Sequence, residues 1–404
     1  MFKKTISNFK KEFNLDKEWI HLGLGILAPH SIEMNKIIDK HRNFLDNNPD
    51  EARRHRHSYN QKTLSNAAKY LGVNENEIVL TESTTLSLSL VFLGFKYFPD
   101  DEILMSNHEH YSIDVLGKHA MERFNVKVKK FDLFKNILSL TEDEIITRYI
   151  ENISDETRLV SITWVNSCFG FKLPVKKITE AIKYINLKRD QNRRIFTILD
   201  AVHGIGVEYI ASLYDLGVDY AASGCHKWLF GPRGTGFLWA SKAGWDNLSP
   251  LIPSFESKCW DAFMGDNFVN QYASISKAVL CSPGGFRNFE YQWALSYAFE
   301  NMLMLGKDKV EMHIRKLSNL AKNILSESKE IIIYTPKNSD LSSGFVCFNI
   351  NEVSAIDISN RLKEHKVMLG YTPYKDSSLR IAAGLLNTEE EVIRACHLLL
   401  SISR

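Results

Sequence analysis

The stretch from residue 223 to residue 236 decides the fold, and it reads Ser223-Gly-Cys-His-Lys-Trp-Leu-Phe-Gly-Pro-Arg-Gly-Thr-Gly236. Small and apolar residues surround its lysine, Lys227, which predicts a side chain largely removed from water. A buried lysine loses its proton readily, and the neutral amine is the nucleophile that Schiff-base chemistry needs. Asp200 lies upstream, directly after the apolar run 195–199. A reactive amine and a strand-ending carboxylate are therefore expected to share one site.

Residues 83–85 all carry hydroxyl groups. They follow a second predicted strand, 78–80, and begin an apolar helix. Hydroxyls and free N–H groups at a helix N-terminus make an anion site, although Ser and Thr also cap helices generally. Ser223 and His226 would complete a phosphate cup from the loop that carries the lysine. Lysine, carboxylate and phosphate-binding hydroxyls together indicate pyridoxal phosphate, whose pyridinium ring stores the electrons of a substrate carbanion.

Four further side chains are candidates for the same site. Asp200 would keep the ring nitrogen protonated, and the alternative is that it caps a turn. His203 could reach the ring hydroxyl or be an interior histidine. In Asn107-His-Glu-His110, the imidazole of His110 could stack on the ring; a metal is disfavoured because no third ligand has suitable spacing. Arg380 is either a bidentate clamp for a substrate carboxylate or a strand-edge surface residue.

Composition excludes several classes of function. The 404 residues are 44% hydrophobic and 24% charged, with a net charge of +2, which argues against nucleic-acid binding. The basic run 53–57 is interpreted as a solvated face. Six scattered cysteines without a Cys-x-x-Cys pair indicate a reduced intracellular protein. No apolar run reaches the roughly 18 residues of a membrane span, and no secretory signal is recognisable. We expect a cytoplasmic protein without a membrane partner.

Short β-rich runs alternate with amphipathic stretches between residues 60 and 240, which predicts a mostly parallel sheet covered on both faces. The seven predicted strands are 77–80, 102–106, 126–131, 158–164, 195–199, 220–222 and 236–240. The predicted helices between them are 61–71, 84–98, 111–124, 142–152, 175–189 and 210–216. Ligands of such sheets bind at the carboxyl ends of strands, where most of the candidate residues lie.

The remainder of the chain is organised differently. Residues 245–290 are aromatic and loop-like, and one long helix is predicted over 291–328. Strands and helices then alternate as in a small α+β unit. The predicted division is an N-terminal segment, 1–30, that packs with the small domain, a large cofactor-binding domain, 31–290, and a small C-terminal domain, 291–404, that includes the linking helix.

Taken in order, these segments resemble the class V aminotransferase family of fold-type I pyridoxal-phosphate enzymes over roughly residues 20–400. The pattern is most like the isopenicillin N epimerase-like branch, which is related to cysteine desulfurases and C–S lyases. The segments that carry the resemblance are Ile78–Thr85, Ile103–His110, Asp200–His203, Gly224–Leu229, Ser282–Phe286 and Leu379–Ile381. The resemblance implies an α/β fold with a seven-stranded, mostly parallel sheet sandwiched by helices and a smaller α+β C-terminal domain.

The resemblance also implies roles for individual residues. Lys227 would form the Schiff base and shuttle the proton at Cα, Asp200 would pair with the pyridine nitrogen, and His110 would stack on the ring. Arg380 would bind the substrate carboxylate. The other cofactor-contacting positions, together with His203, are Ser83, Thr84, Thr85, Asn166, Ser167, Ser223 and His226.

The predicted activity is a reaction at the α-carbon of an amino acid or similar small molecule, through an external aldimine and a quinonoid. An epimerase or a C–S or β-elimination lyase is favoured, a class V aminotransferase is the alternative, and a non-catalytic pyridoxal-phosphate-binding protein is a further alternative. The resemblance implies a homodimer with the active site at the subunit interface.

Two departures from the family pattern stand out. Cysteine desulfurases carry a catalytic cysteine shortly before the carboxylate-binding arginine, but here the nearest upstream cysteine is Cys347. Desulfurase activity through a persulfide is therefore disfavoured. Many relatives also have Gly-Thr near the start of the long helix, where this chain has Ser282-Pro-Gly-Gly. The corresponding contact to the cofactor phosphate of the partner subunit would be made by Ser282 or be absent.

Overall fold

The computed structural model describes residues 4–372 and 377–403. Its strands, in chain order, are β1 (Ile20–His21), β2 (Ile78–Thr81), β3 (Glu102–Ser106), β4 (Lys127–Phe131), β5 (Thr157–Thr163), β6 (Phe196–Asp200), β7 (Tyr220–Gly224), β8 (Gly236–Ala240), β9 (Ile331–Ile333), β10 (Phe345–Ile350), β11 (Val367–Met368), β12 (Gly370–Tyr371) and β13 (Leu379–Ala382).

The α-helices, in chain order, are α1 (Ile6–Lys10), α2 (Ile32–Asn47), α3 (Pro49–Leu71), α4 (Thr84–Gly94), α5 (Tyr111–Phe124), α6 (Glu142–Asn152), α7 (Val175–Asn186), α8 (Lys242–Asp246), α9 (Ser257–Met264), α10 (Phe268–Ser274), α11 (Lys277–Leu280), α12 (Phe289–Leu305), α13 (Lys307–Leu325), α14 (Ala355–Glu364) and α15 (Glu389–Ile402). None of the helices within 4–372 and 377–403 combines the length and apolarity that a membrane crossing needs.

Seven strands form the central sheet in the order β2-β8-β7-β6-β5-β3-β4. All of them run parallel except β8, which is antiparallel to both of its neighbours. Successive residues of β3 pack into different cores, because Leu104 belongs to one apolar cluster while Ile103 and Met105 belong to another. Both faces of the sheet are therefore covered, which explains why the inner strands, unlike the edge strand β4, are fully buried and mainly apolar. The predicted mostly parallel seven-stranded sheet is confirmed.

Several helices differ from their predicted bounds. The single helix predicted over 291–328 is wrong, because α12 and α13 are separate helices that meet at Gly306, whose φ is +86°. Glycine adopts this conformation without a steric penalty, whereas an uninterrupted helix excludes it. Helix α3 begins at Pro49 rather than at residue 61, so the basic run 53–57 lies on it. The helix predicted over 210–216 is a short 3₁₀ turn, Leu213–Leu216.

The C-terminal part forms a separate small sheet in the order β12-β13-β10-β9, with antiparallel pairing throughout. The N-terminal strand β1 pairs with β11, and the Ala382 backbone N–H donates to the Leu22 carbonyl at 2.7 Å. Helix α12 packs on α2 and α3 of the large unit, whereas α13 packs on α15 and β10. The division of the chain at residue 290 stays a prediction.

Candidate active site

One cavity opens at the carboxyl ends of β3, β5 and β6, where the N-terminus of α4 also points. Parallel strands bring their carboxyl ends to one edge of the sheet, so side chains distant in sequence meet there. Most of the predicted site residues line this cavity; they are Ser83, Thr84, Thr85, His110, Asn166, Ser167, Asp200, His203, His226 and Lys227. Ser223 and Arg380 are not among the described residues that line it.

Lys227 lies in the loop that follows β7, largely enclosed but open to the cavity. Its Nζ is 3.0 Å from Nε2 of His203. Burial lowers the pKa of the amine to about 8; the nearby Asp200 carboxylate opposes this shift, and Arg380 adds to it. A lysine with such a pKa supplies a useful fraction of neutral amine near neutral pH, as a nucleophile or proton acceptor requires.

Asp200 is the last residue of β6 and pairs in register with Thr163, the last residue of β5. The Val202 N–H donates to its Oδ1 at 3.1 Å. Burial raises the pKa of this carboxyl, while the Val202 N–H and the charge of Lys227 act in the opposite direction. A hydrogen-bonded carboxylate facing a cationic neighbour is able to hold a proton on a ring nitrogen.

His110 caps the N-terminus of α5 and is exposed within the cavity. Its Nδ1 lies 2.8 Å from the Ser112 hydroxyl and accepts from the Ser112 backbone N–H at 3.3 Å. These contacts with the first helical turn fix the orientation of the imidazole. A ring held in this way offers a flat surface to a planar ligand.

Glu109 was not predicted as a site residue, yet it is buried at the cavity wall. The hydroxyls of Thr163 and Ser106 donate to its carboxylate, the second at 3.2 Å. Burial raises the pKa of this carboxyl to about 7, and the Asp200 charge adds to the shift. A signal was present in the sequence, because Glu109 follows a buried strand in the same loop as His110.

The N-terminus of α4 brings three hydroxyl-bearing residues, Ser83, Thr84 and Thr85, to the cavity. Ser83 caps the helix by accepting from the Leu86 N–H at 3.1 Å, and Oγ1 of Thr84 accepts from the Gly224 N–H at 2.7 Å. The first N–H groups of a helix have no acceptor within the helix, so those of Thr84 and Thr85 are suited to a phosphate. Ser223 is fully buried, and its hydroxyl donates to the Gly224 carbonyl at 3.0 Å.

Arg380 lies on β13, behind the cavity wall. Its guanidinium donates to the Ser167 carbonyl at 2.7 Å and lies 5.0 Å from the centre of the Phe345 ring. In the same loop, the Asn166 side chain accepts from the N–H groups of Cys168 and Phe169, each at 2.9 Å. The structure thus places the guanidinium of Arg380 against the loop 166–168, which lines the cavity.

The donor set fits pyridoxal phosphate. The cavity brings together an amine of lowered pKa, a buried carboxyl group and the N-terminus of a helix. These are partners for an aldehyde, a pyridine nitrogen and a phosphate, respectively.

The sequence model of the family described as "Aminotransferase class-V" matches residues 31–394, so the chain belongs to the class V aminotransferase family. It is accordingly a pyridoxal-phosphate-dependent enzyme with the fold-type I architecture. Among similar proteins, a probable cysteine desulfurase from Haemophilus influenzae is 23% identical over 331 residues, which cover 79% of this chain and 70% of the relative. The isopenicillin N epimerase of Streptomyces clavuligerus is 23% identical over 331 residues, which cover 81% and 80%.

Solved structures share the fold at lower identity. A variant of the C–S lyase C-DES, with glycine covalently linked to the pyridoxal-phosphate cofactor, has a TM-score of 0.84 at 18% identity and covers 98% of each chain. The apo cysteine desulfurase of Thermococcus onnurineus has a TM-score of 0.83 at 18% identity and covers 100% of this chain and 99% of its own. At this identity the likeness establishes the fold alone.

Proposed function

We propose that the enzyme acts at the α-carbon of an amino acid, as an epimerase or as a C–S or β-elimination lyase. Aminotransferase activity of the class V type is the alternative. The observation that carries the proposal is the shared cavity of Lys227 and Asp200, in which the amine has a pKa of about 8. When bound there, pyridoxal phosphate supplies an electron sink for negative charge at the substrate α-carbon.

Each residue of the candidate site has a defined role in this proposal. Lys227 would hold the cofactor aldehyde, and its amine would move the proton at the substrate Cα. Asp200 holds a proton on the pyridine nitrogen, and His110 lies against the ring. The N-terminus of α4 binds the phosphate through the N–H groups and hydroxyls of Thr84 and Thr85. Ser223 stabilises this phosphate site indirectly, since its hydroxyl donates to the carbonyl of Gly224, whose N–H donates to Thr84.

Substrate selection falls to Arg380 in this proposal. Its guanidinium is hydrogen-bonded to the Ser167 carbonyl and buried next to the Phe345 ring. A movement of the loop 166–168 would expose it to a substrate α-carboxylate, which guanidinium groups bind in a bidentate manner. An α-amino acid is therefore the substrate class that we propose.

We also propose that the enzyme is a homodimer. Helices α9 and α10 carry a cluster of solvent-exposed apolar side chains, namely Trp260, Phe263, Met264, Phe268 and Val269. Contiguous exposed apolar surface of this kind is typical of protein interfaces. Size measurement by light scattering, compared with a Phe263→Glu variant, tests whether this surface joins two copies.

A desulfurase reaction is the second candidate, because relatives such as that of Haemophilus influenzae are probable cysteine desulfurases. Cys347 is unsuited to accept sulfur, since it lies fully buried on β10 and burial raises the pKa of its thiol to about 12. Cys168, by contrast, lines the cavity together with Lys227. Formation of alanine from L-cysteine, with the transferred sulfur released as sulfide by an added thiol reductant, would favour this candidate if it is lost in Cys168→Ser and kept in Cys347→Ser.

Borohydride reduction followed by peptide mapping tests the anchoring role. The chain contains its own control, because Lys322 is also buried and its pKa is also lowered to about 8, yet it lies on α13 with Ser342 as a hydrogen-bond partner at 2.9 Å. We expect the reduced adduct on the peptide that contains Lys227. An adduct on Lys322 would show that a low pKa alone directs labelling, and the proposal would fail.

Incubation with single amino acids in deuterated water separates the possible reactions. Deuterium at Cα of recovered substrate, with inversion, indicates an epimerase; a keto acid with aminated cofactor indicates an aminotransferase; ammonia and a thiol indicate a lyase. A Lys227→Ala variant should lose whichever reaction is found. A protein that binds pyridoxal phosphate but exchanges no α-proton with any amino acid would instead be a non-catalytic binder.

A further inference from the structure

Three side chains form a hydrogen-bonded chain that ends at the reactive amine. The indole N–H of Trp228 donates to Nδ1 of His203 at 3.3 Å. The other ring nitrogen of His203, Nε2, lies 3.0 Å from Nζ of Lys227. Trp228 and His203 are both buried, so water does not compete readily for these groups.

Counting donors and acceptors determines the direction of both hydrogen bonds. An indole N–H can only donate, so Nδ1 of His203 must be the acceptor. Burial lowers the pKa of His203 well below its ordinary value, and the positive charges of Lys227 and Arg380 add to this effect. A neutral imidazole has one donor and one acceptor, so Nε2 carries the hydrogen and donates to Nζ. An ammonium group has no lone pair to accept that hydrogen, whereas a neutral amine has one.

We propose that Trp228 is a positioning residue that holds His203 in its Nε2–H tautomer and thereby favours the neutral amine form of Lys227. Trp228 acts only through His203 and does not line the cavity among the described residues. The inference rests on the role proposed above for Lys227, and it adds the means by which the chain keeps that amine ready to react.

The tertiary structure fixes the indole ring in a slot between glycines from distant parts of the chain. A Cβ atom at Gly25 would lie 2.5 Å from the ring, one at Gly344 would lie 3.0 Å away, and one at Gly384 would lie 3.2 Å away. Gly25 belongs to the N-terminal segment, and Gly344 and Gly384 flank β10 and β13 of the small sheet, whereas Trp228 follows β7 of the large sheet. Packing of the two units therefore sets the direction in which the indole N–H points.

Other charged groups also face the His203–Lys227 pair, and they come from several elements. Asp200 lies at the end of β6, Arg380 lies on β13, His110 precedes α5, and His226 adjoins Lys227. Asp200 favours the ammonium form of Lys227, while Arg380 opposes it. The hydrogen-bonded chain favours the neutral amine, as Arg380 does. The test must separate the effect of this chain from the effects of the neighbouring charges.

The tautomer is measurable directly in the cofactor-free, full-length protein by NMR of isotope-labelled histidine, with the His203 signals assigned by their loss in His203→Gln. We expect Nε2 to be protonated and Nδ1 to be unprotonated at neutral pH. A protonated Nδ1, or protonation of both nitrogens, would overturn the proposal. This measurement needs no variant of Trp228, so it can overturn the proposal even where such a variant does not fold.

Trp228→Phe removes the N–H and keeps an aromatic ring, and the pH dependence of imine formation with pyridoxal phosphate then reports the amine pKa. We expect the midpoint, near 8 in the parent, to rise by about one pH unit, which slows capture at pH 7 roughly tenfold. Trp245→Phe is the matched control, because its indole donates to the Glu77 carbonyl at 3.1 Å, away from the cavity. Equal midpoints in both variants would overturn the proposal.

The two proposals fail in different ways. A reduced adduct on another lysine removes the anchoring role of Lys227 but leaves the tautomer of His203 to be measured. An adduct on Lys227 with an Nδ1–H tautomer keeps the proposed function and removes the positioning role of Trp228.

Discussion

Replacement of Glu109 by glutamine should stabilise the folded protein in alkaline solution and change little in acid. Glu109 is buried at the cavity wall, where the hydroxyls of Thr163 and Ser106 donate to its carboxylate and Asp200 lies nearby. Glutamine has nearly the same shape and carries no charge at any pH. The variant therefore removes the ionisation of one buried carboxyl group while it preserves the packing.

The magnitude follows from the pKa of Glu109, which burial raises from an ordinary value of 4.5 to about 7. The folded protein holds this proton more tightly than the unfolded chain, so the free energy of unfolding falls as pH rises from 4.5 to 7. Above pH 7 the full free-energy cost of ionising the buried Glu109 is present, and it lowers the free energy of unfolding by about 3 kcal/mol. Below pH 4.5 it vanishes, because the carboxyl is protonated in both states.

Urea denaturation of the parent and Glu109→Gln, at pH 5 and at pH 8, measures this difference. We expect the variant to gain about 2 to 3 kcal/mol over the parent on going from pH 5 to pH 8. Thr163→Val provides the opposite perturbation, because it removes a hydroxyl that stabilises the ionised form of Glu109. We expect it to raise the pKa of Glu109 further and so to increase the loss of stability in alkaline solution. A constant difference between Glu109→Gln and the parent at the two pH values would refute the reasoning.

Four other predictions concern single positions. Lys227→Ala should carry no cofactor covalently attached to the protein after incubation with pyridoxal phosphate and borohydride, as mass spectrometry would show. Asp200→Asn should still bind the cofactor but exchange the substrate α-proton at least about 100-fold more slowly, measured by deuterium incorporation. Arg380→Ala should raise KM about tenfold or more for α-amino acids and leave that of the corresponding amino amides nearly unchanged. Gly306→Ala should lower the free energy of unfolding by about 1 kcal/mol or more, measured by denaturation, because its φ of +86° disfavours a side chain.

Much of the fold follows from local features of the sequence. The helices α5 and α6 have the bounds that the pattern predicts, since Thr141 and His110 cap them at positions that apolar periodicity also marks. Most strands of the central sheet are recognisable because they are apolar runs bounded by polar residues, whereas the edge strand β4 contains three lysines. Asp200 and Lys227 are identifiable for the same reason, as each follows a strand and the carboxyl ends of parallel strands share one edge.

Other features depend on contacts between distant residues, which no local pattern reports. Ser223 is turned into the protein because it lies on β7, between two neighbouring strands, so its hydroxyl bonds to the Gly224 carbonyl instead of facing the cavity. Cys168 reaches the cavity, and its carbonyl accepts from the Ser378 hydroxyl of the small unit at 2.9 Å. Arg380 packs under the same loop rather than in the cavity wall.

The amino-acid sequence by itself determined which residues are candidates for the chemistry, because an amine, a carboxylate and helix-capping hydroxyls are properties of residue type and of position at the end of a strand. Only the tertiary structure decided their protonation. The pKa of Glu109 depends on Thr163 from the neighbouring strand, and the direction of the Trp228 N–H depends on glycines more than a hundred residues away. Burial and hydrogen-bond direction arise when separate segments pack together, and it is this burial that lowers the pKa of Lys227.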